Sequence, residues 1–117
     1  MKTRPAKILI ADDDAMVRTT VSKILEMFGH RVDMVADGKG VIDLVDDSYD
    51  VILLDINMPD MDGFETMDKL NEHNYDIPVL FLTGAGSMDY AVKAINIGAY
   101  DFLTKPIEDL DMFNVKI

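Results

Sequence analysis

Five polar side chains stand where apolar runs end. Asp12 and Asp13 follow "KILIA", Asp55 closes "DVILLD", Thr83 closes "IPVLFLT" and Lys105 follows "YDFLT". A carboxylate at the tip of an apolar strand is costly unless something pairs with it or uses it. Three carboxylates in one place add repulsion, about 4 kcal/mol for two unit charges at 4 Å and an effective dielectric near 20. A divalent cation and the Lys105 ammonium would remove that cost. The donor set is all oxygen, with no cysteine in the chain and no histidine at a strand end, which favours Mg²⁺ over zinc. Two or three carboxylates plus a backbone carbonyl leave positions for water and a phosphate oxygen. Lys105 could then hold a second phosphate oxygen, and Thr83 could donate to a third. Asp55, kept ionised and aimed between cation and lysine, has the makings of a carboxylate nucleophile for phosphoryl transfer.

These residues converge only if the strands are parallel neighbours. Residues Lys7 to Ala11 read as a strand. From Ala15 the period changes, and Val17, Val21, Ile24, Leu25 and Phe28 fall on one helical face. Asp13 or Asp14 can cap that helix and Gly29 can stop it. "RVDMVA" alternates partially, as an edge strand does, and Val41, Ile42, Leu44 and Val45 mark a short second helix. "DVILLD" and "IPVLFLT" are continuous apolar runs, suited to strands buried on both faces of a parallel sheet. A turn containing Pro59 and Gly63 leads to a third helix over about Phe64 to His73, and Met88, Ala91, Val92 and Ile95 mark a fourth that Gly98 stops. "YDFLT" is a fifth strand, and a helical pattern restarts at Asp109 with room for only about two turns. Strand and helix thus alternate five times with short links, which predicts a parallel sheet with helices on both faces. In such a sheet functional groups gather at the carboxyl ends of the strands.

The bulk composition agrees. A chain of 117 residues, 49% of them apolar, is one compact domain with enough material for one core. A net charge of -11 repels nucleic acid, so direct binding to it is not expected. No apolar run approaches the roughly 20 residues that span a bilayer. The start, "MKTRPAKILIADDD", lacks the apolar core of a signal peptide, and the expected location is the cytoplasm.

Taken together, "ILIADDD", "LLDINMPDMDG", "FLTGAG" and "DFLTKP" resemble the receiver domain of bacterial two-component response regulators over nearly the whole of residues 1–117. The resemblance implies a flavodoxin-like, doubly wound α/β fold with a five-stranded parallel sheet in the order 2-1-3-4-5 and five helices, the last one short here. It puts the acidic pair on Asp12 and Asp13, the phosphorylated aspartate on Asp55, the hydroxyl on Thr83 and the lysine on Lys105. The aromatic switch position falls on Phe102, which lacks the hydroxyl that a tyrosine would bring. The backbone carbonyl of Asn57 is implied as a ligand of Mg²⁺. A sensor histidine kinase or phosphotransfer protein is implied as phosphoryl donor. The responding surface is the fourth helix, fifth strand and fifth helix, with a homodimer through it as the default partner. Whether an output domain follows Ile117 stays open.

Other residues have plainer readings. Asp14 reads as a helix cap, and Asp60 and Asp62 as turn and cap residues. His30 and His73, next to helix ends, are expected to face solvent. Gly84 and Gly86 around Ala85 suit a mobile loop or simple turns. Pro106 is a candidate for a cis peptide bond, and the methionines are filler. Three other function classes compete. A flavodoxin would need hydroxyls and amides where this chain has "DDD". A phosphatase with an aspartate nucleophile would need an acid where Asn57 stands. A receiver-like interaction module that is never phosphorylated would not need all five chemical positions filled. The expected function is therefore a phosphorylation-controlled switch, catalysing its own phosphorylation and dephosphorylation but turning over no separate substrate.

Overall fold

In the computed structural model, residues 5–58, 60–83 and 101–104 are described. The elements run β1 (Lys7–Ala11), α1 (Ala15–Met27), β2 (Arg31–Val35), α2 (Gly38–Leu44), β3 (Val51–Asp55), α3 (Gly63–Glu72), β4 (Val79–Thr83) and β5 (Asp101–Thr104). The strands are all parallel and lie in the order β2-β1-β3-β4-β5. Three helices lie within the described residues. The expected fourth and fifth helices, Gly84 to Gly86 with Ala85, and Lys105 with Pro106 lie outside them.

The continuous apolar runs are explained by helices on both faces. Successive strand residues point to opposite sides. Leu9, Ala11, Ile52, Leu54 and Phe81 pack with Val41 of α2 and with Phe64, Met67 and Leu70 of α3. Ile8, Ile10, Leu53, Leu80 and Leu82 pack with Val21 and Leu25 of α1 on the other face. Each fully buried Leu or Ile contributes roughly 1.5–3 kcal/mol, so β3 is anchored well enough to carry Asp55 at its tip. β2 is an edge strand, with exposed or half-buried residues throughout, which is why its sequence alternates only partially.

Helix ends follow local chemistry. The Asp14 side chain accepts from the amides of Met16 and Val17 and so caps α1. Gly29, at φ 92°, ends that helix in a conformation that L side chains rarely adopt. Phe28 is consequently the C-cap and 36% exposed, at the end of the apolar face rather than inside it. No helix among the described residues is long and apolar enough to cross a membrane.

One expectation is corrected. His73 is exposed, but His30 is buried. Its Nδ1 accepts the Ala6 amide at 2.9 Å, while the Arg31 amide donates to the Ala6 carbonyl at 2.9 Å. The chain entering β1 therefore needs an acceptor where β2 begins, and His30 supplies it.

Candidate functional site

The strand order reverses between β1 and β3, and the crevice outside their carboxyl ends is where an open parallel sheet receives ligands. Asp12 leaves β1 at this point and is fully buried. Its amide donates to the Val35 carbonyl of β2 at 3.2 Å. Its Oδ1 accepts the Asp14 amide at 2.9 Å, and its own carbonyl accepts Nη1 of Arg18 at 2.7 Å. Asp13 follows and is exposed.

Asp55 ends β3 and is 4% exposed. Its Oδ1 accepts the Asn57 amide over a long 3.4 Å. The loop beyond it is tied down by its backbone. The Ile56 amide donates to Leu82 of β4, and the Gly63 amide donates to the Ile56 carbonyl at 2.7 Å. Asp60 takes a positive φ of 67°, as the short polar residues do in turns. Asp62 then caps α3 in a reciprocal capping box with Glu65. Gly63 is required sterically. A Cβ there would lie 2.5 Å from the Asp55 carbonyl oxygen, 2.9 Å from Ile56 Cα and 3.0 Å from Phe81 Cε1.

These two loops bring one carboxylate oxygen each of Asp12, Asp13 and Asp55 within 4.8 Å of one another. Oxygens bound to one Mg²⁺ at 2.0–2.1 Å stand up to about 4.2 Å apart across an octahedron. The spacing, the all-oxygen donors and the mix of two buried acids with one exposed acid fit such an ion, with an open side for further ligands. At 4.8 Å and an effective dielectric near 20, each pair of charges repels by about 3.5 kcal/mol. A cation would remove this cost.

The other expected site residues are placed in part. Asn57 lies two residues past Asp55 and is exposed. Thr83 ends β4, next to the pairing of Asp55 with Leu82, and is itself paired with Thr104 of β5. Phe102 lies on β5 beside Phe81 of β4. Lys105 lies outside the described residues. Arg18 is a contact that sequence reasoning did not find. Helical side chains lean toward the N-terminus, so an arginine one turn into α1 was the available signal.

Comparison with known proteins agrees with this geometry. The family described as response regulator receiver domain matches residues 8–115. Transcriptional regulatory protein CpxR of Escherichia coli (strain K12) is 39% identical over 106 residues, covering 91% of this chain and 45% of that protein. Transcriptional regulatory protein ZraR of Klebsiella oxytoca is 37% identical over 109 residues, covering 92% of this chain and 25% of that protein. The chain thus spans less than half the length of these relatives. Among solved structures, the receiver domain of the Francisella response regulator 1452 matches with a TM-score of 0.83 at 30% identity, covering 95% of this chain and 92% of that one. NtrX from Brucella abortus in complex with ADP matches with a TM-score of 0.88 at 30% identity, over 96% of this chain and 26% of that one. A doubly wound sheet with its acids gathered at the switch point, and a family match over nearly the whole length, make this chain a member of the response regulator receiver domain family of two-component signalling proteins.

Proposed function

We propose that Asp55 accepts a phosphoryl group from a phosphohistidine of a sensor kinase or phosphotransfer protein, and that the resulting acyl phosphate switches the domain. The observation that carries this reading is the meeting of Asp12, Asp13 and Asp55 at the carboxyl edge of the sheet, within 4.8 Å. An oxygen of the Asp55 carboxylate attacks phosphorus. The phosphorus–nitrogen bond breaks, and the imidazole leaves with the electron pair and holds a proton. Hydrolysis by water restores the carboxylate and releases phosphate. Asp12, Asp13, Asp55 and the carbonyl of Asn57 would hold Mg²⁺, which when bound screens the charge between an anionic nucleophile and an anionic phosphoryl group. Lys105 and Thr83 bind the remaining phosphoryl oxygens by ammonium and hydroxyl. Asn57, without an acid to protonate a leaving group, suits self-directed chemistry better than the turnover of outside phosphate esters.

In this reading the domain has five strands and five helices, as in a flavodoxin-like receiver. Thr83 moves toward the phosphoryl group and draws the following loop with it. The ring of Phe102 then changes its place on β5 and acts as the bistable element. The surface of the fourth helix, β5 and the fifth helix responds, by homodimerisation or by acting on an output domain. The test is intact-mass analysis after acetyl phosphate with Mg²⁺. The wild type gains one phosphoryl group, and Asp55→Asn, nearly isosteric but a far weaker nucleophile, gains none. Labelling of the mutant at the wild-type level would overturn the assignment. Beryllofluoride, a phosphoryl mimic on Asp55, tests the switch by sedimentation. It shifts the wild type toward dimer and Thr83→Ala much less; a full response by Thr83→Ala would break the link through its hydroxyl.

A further inference from the structure

We propose that Arg18 is a positioning residue for Asp13, setting the chain's affinity for its divalent cation without touching the ion. The proposal rests on the reading that Asp12, Asp13 and Asp55 hold that cation. The three acids are positioned very differently. Asp12 is fully buried and Asp55 nearly so, whereas Asp13 is exposed. Burial and strand ends fix the first two. Asp13 depends on its backbone, and its backbone depends on the peptide that joins it to Asp12.

That peptide is gripped by Arg18. The Asp12 amide donates to Val35 of β2 at 3.2 Å, and the Asp12 carbonyl accepts Arg18 Nη1 at 2.7 Å. Residue 12 is therefore held on both its peptide groups. The Asp12–Asp13 peptide is planar, so fixing its carbonyl also fixes the direction of the Asp13 amide and the position of the Asp13 Cα. Arg18 is well placed for the task. Its own amide donates to the Asp14 carbonyl at 3.0 Å in the first turn of α1. Its side chain leans back over that turn toward the loop. A bond from a charged donor to a backbone carbonyl is stronger than a neutral one. Without it, a run of three adjacent carboxylates, Asp12 to Asp14, would favour a splayed loop that carries Asp13 away from its partners.

The guanidinium has a second effect of opposite sign, because its positive charge opposes a cation. Arg18 sits on the carbonyl of a ligand residue, inside the roughly 8 Å over which 0.15 M salt screens charge, so this repulsion persists. In this proposal positioning outweighs it, and the sign of the Arg18→Met effect separates the two, because loss of the charge alone would tighten Mg²⁺ binding.

The experiment is a MgCl₂ titration at 0.15 M salt, followed by amide chemical shifts, with the Mg²⁺-free melting temperature as fold control. Arg18→Met weakens Mg²⁺ binding by about tenfold, as loss of a residue that orients a metal ligand typically does. Arg18→Lys, whose ammonium can reach the same carbonyl, retains most of the affinity. In an Asp13→Asn background Arg18→Met costs nothing further, because the ligand it positions is already impaired. Arg18→Ala repeats the comparison with a strong helix former. Unchanged or tighter binding by Arg18→Met overturns the proposal, as does an equal tenfold loss in the Asp13→Asn background. Wild-type Mg²⁺ affinity in Asp13→Asn alone would instead overturn the cation site itself.

Discussion

Replacing Gly63 by alanine should damage both the fold and Asp55, and the sizes can be set against each other. A Cβ at Gly63 would stand 2.5 Å from the Asp55 carbonyl oxygen, 2.9 Å from Ile56 Cα and 3.0 Å from Phe81 Cε1. Ordinary contact begins near 3.4 Å, so α3 and the backbone under Asp55 must separate by about 1 Å. Two of the three obstructing atoms are backbone, which cannot rotate away. Overpacking of this kind costs about 1–3 kcal/mol. The opposing gain is helix propensity, at most about 1 kcal/mol in a helix interior and less for the first residue of α3. Strain should therefore win. At roughly 2.1 cal/mol/K of unfolding entropy per residue, 1 kcal/mol corresponds to about 4 °C for a chain of this length. Gly63→Ala is expected to lower the melting temperature by about 4–8 °C. It should also slow phosphorylation of Asp55 by acetyl phosphate by more than tenfold, because a misplacement near 1 Å is severe for an attacking group. Calorimetry and intact-mass kinetics measure the two effects. A stabilised variant that is phosphorylated at the wild-type rate would refute the close approach on which the reasoning depends.

Other expectations are as concrete. Millimolar Mg²⁺ should raise the melting temperature by mass action on the native state, and Asp13→Ala should erase most of the rise; an equal rise in the mutant would place the ion elsewhere. Asp55→Asn should raise the Mg²⁺-free melting temperature by several degrees, since it removes one of three charges that lie within 4.8 Å, and a fall would show that the cluster's repulsion is already relieved. Tyr49 gives a prediction at alkaline pH. Burial, then the hydrogen bond from its hydroxyl to Asp33 Oδ2 at 2.6 Å, raise its pKa above the ordinary 10.0. The fold thus favours the neutral phenol, and this contribution is complete below the unfolded value and lost as pH rises from there through the raised folded value. Wild-type stability should fall more steeply above pH 10 than that of Tyr49→Phe, and parallel melting curves would contradict the assignment.

What could be read from the residues was whatever depends on local pattern. Continuous apolar runs disclosed β1, β3 and β4, because a strand covered on both faces has no polar side to show. The acids of the candidate cluster were legible for a related reason. Asp55 interrupts an apolar run where only a paired or working carboxylate is tolerable, and Asp12 with Asp13 does the same at the end of β1. What escaped was non-local. His30 looked solvent-facing because it follows a helix, but the Ala6 amide, 24 residues earlier in sequence, takes its Nδ1 as acceptor. Phe28 continued the helical period, yet Gly29 ended the helix before that face could be closed. Gly63 read as a turn glycine, whereas its lack of a side chain matters because Asp55, Ile56 and Phe81 crowd the space. Arg18 offered only a weak signal, its place one turn into α1, because its partner is a backbone carbonyl and every residue has one.

The two site loops are held in different ways, and this bears on how the domain can switch. The loop after β3 is fixed by backbone bonds, a capping box and a sterically required glycine, none of which depends on charge at Asp55. The loop after β1 is three successive acids, restrained by an arginine and by the amides at the start of α1. Neutralising charge at the site should therefore leave the β3 side in place and move chiefly the β1 side. Asp13 and Asp14 are its exposed members. Hydrogen exchange with and without Mg²⁺ would show the division. Protection should rise at Asp13 to Val17 and stay level at Ile56 and Gly63; a change confined to the β3 loop would mean that the rigid and responsive sides are the other way round.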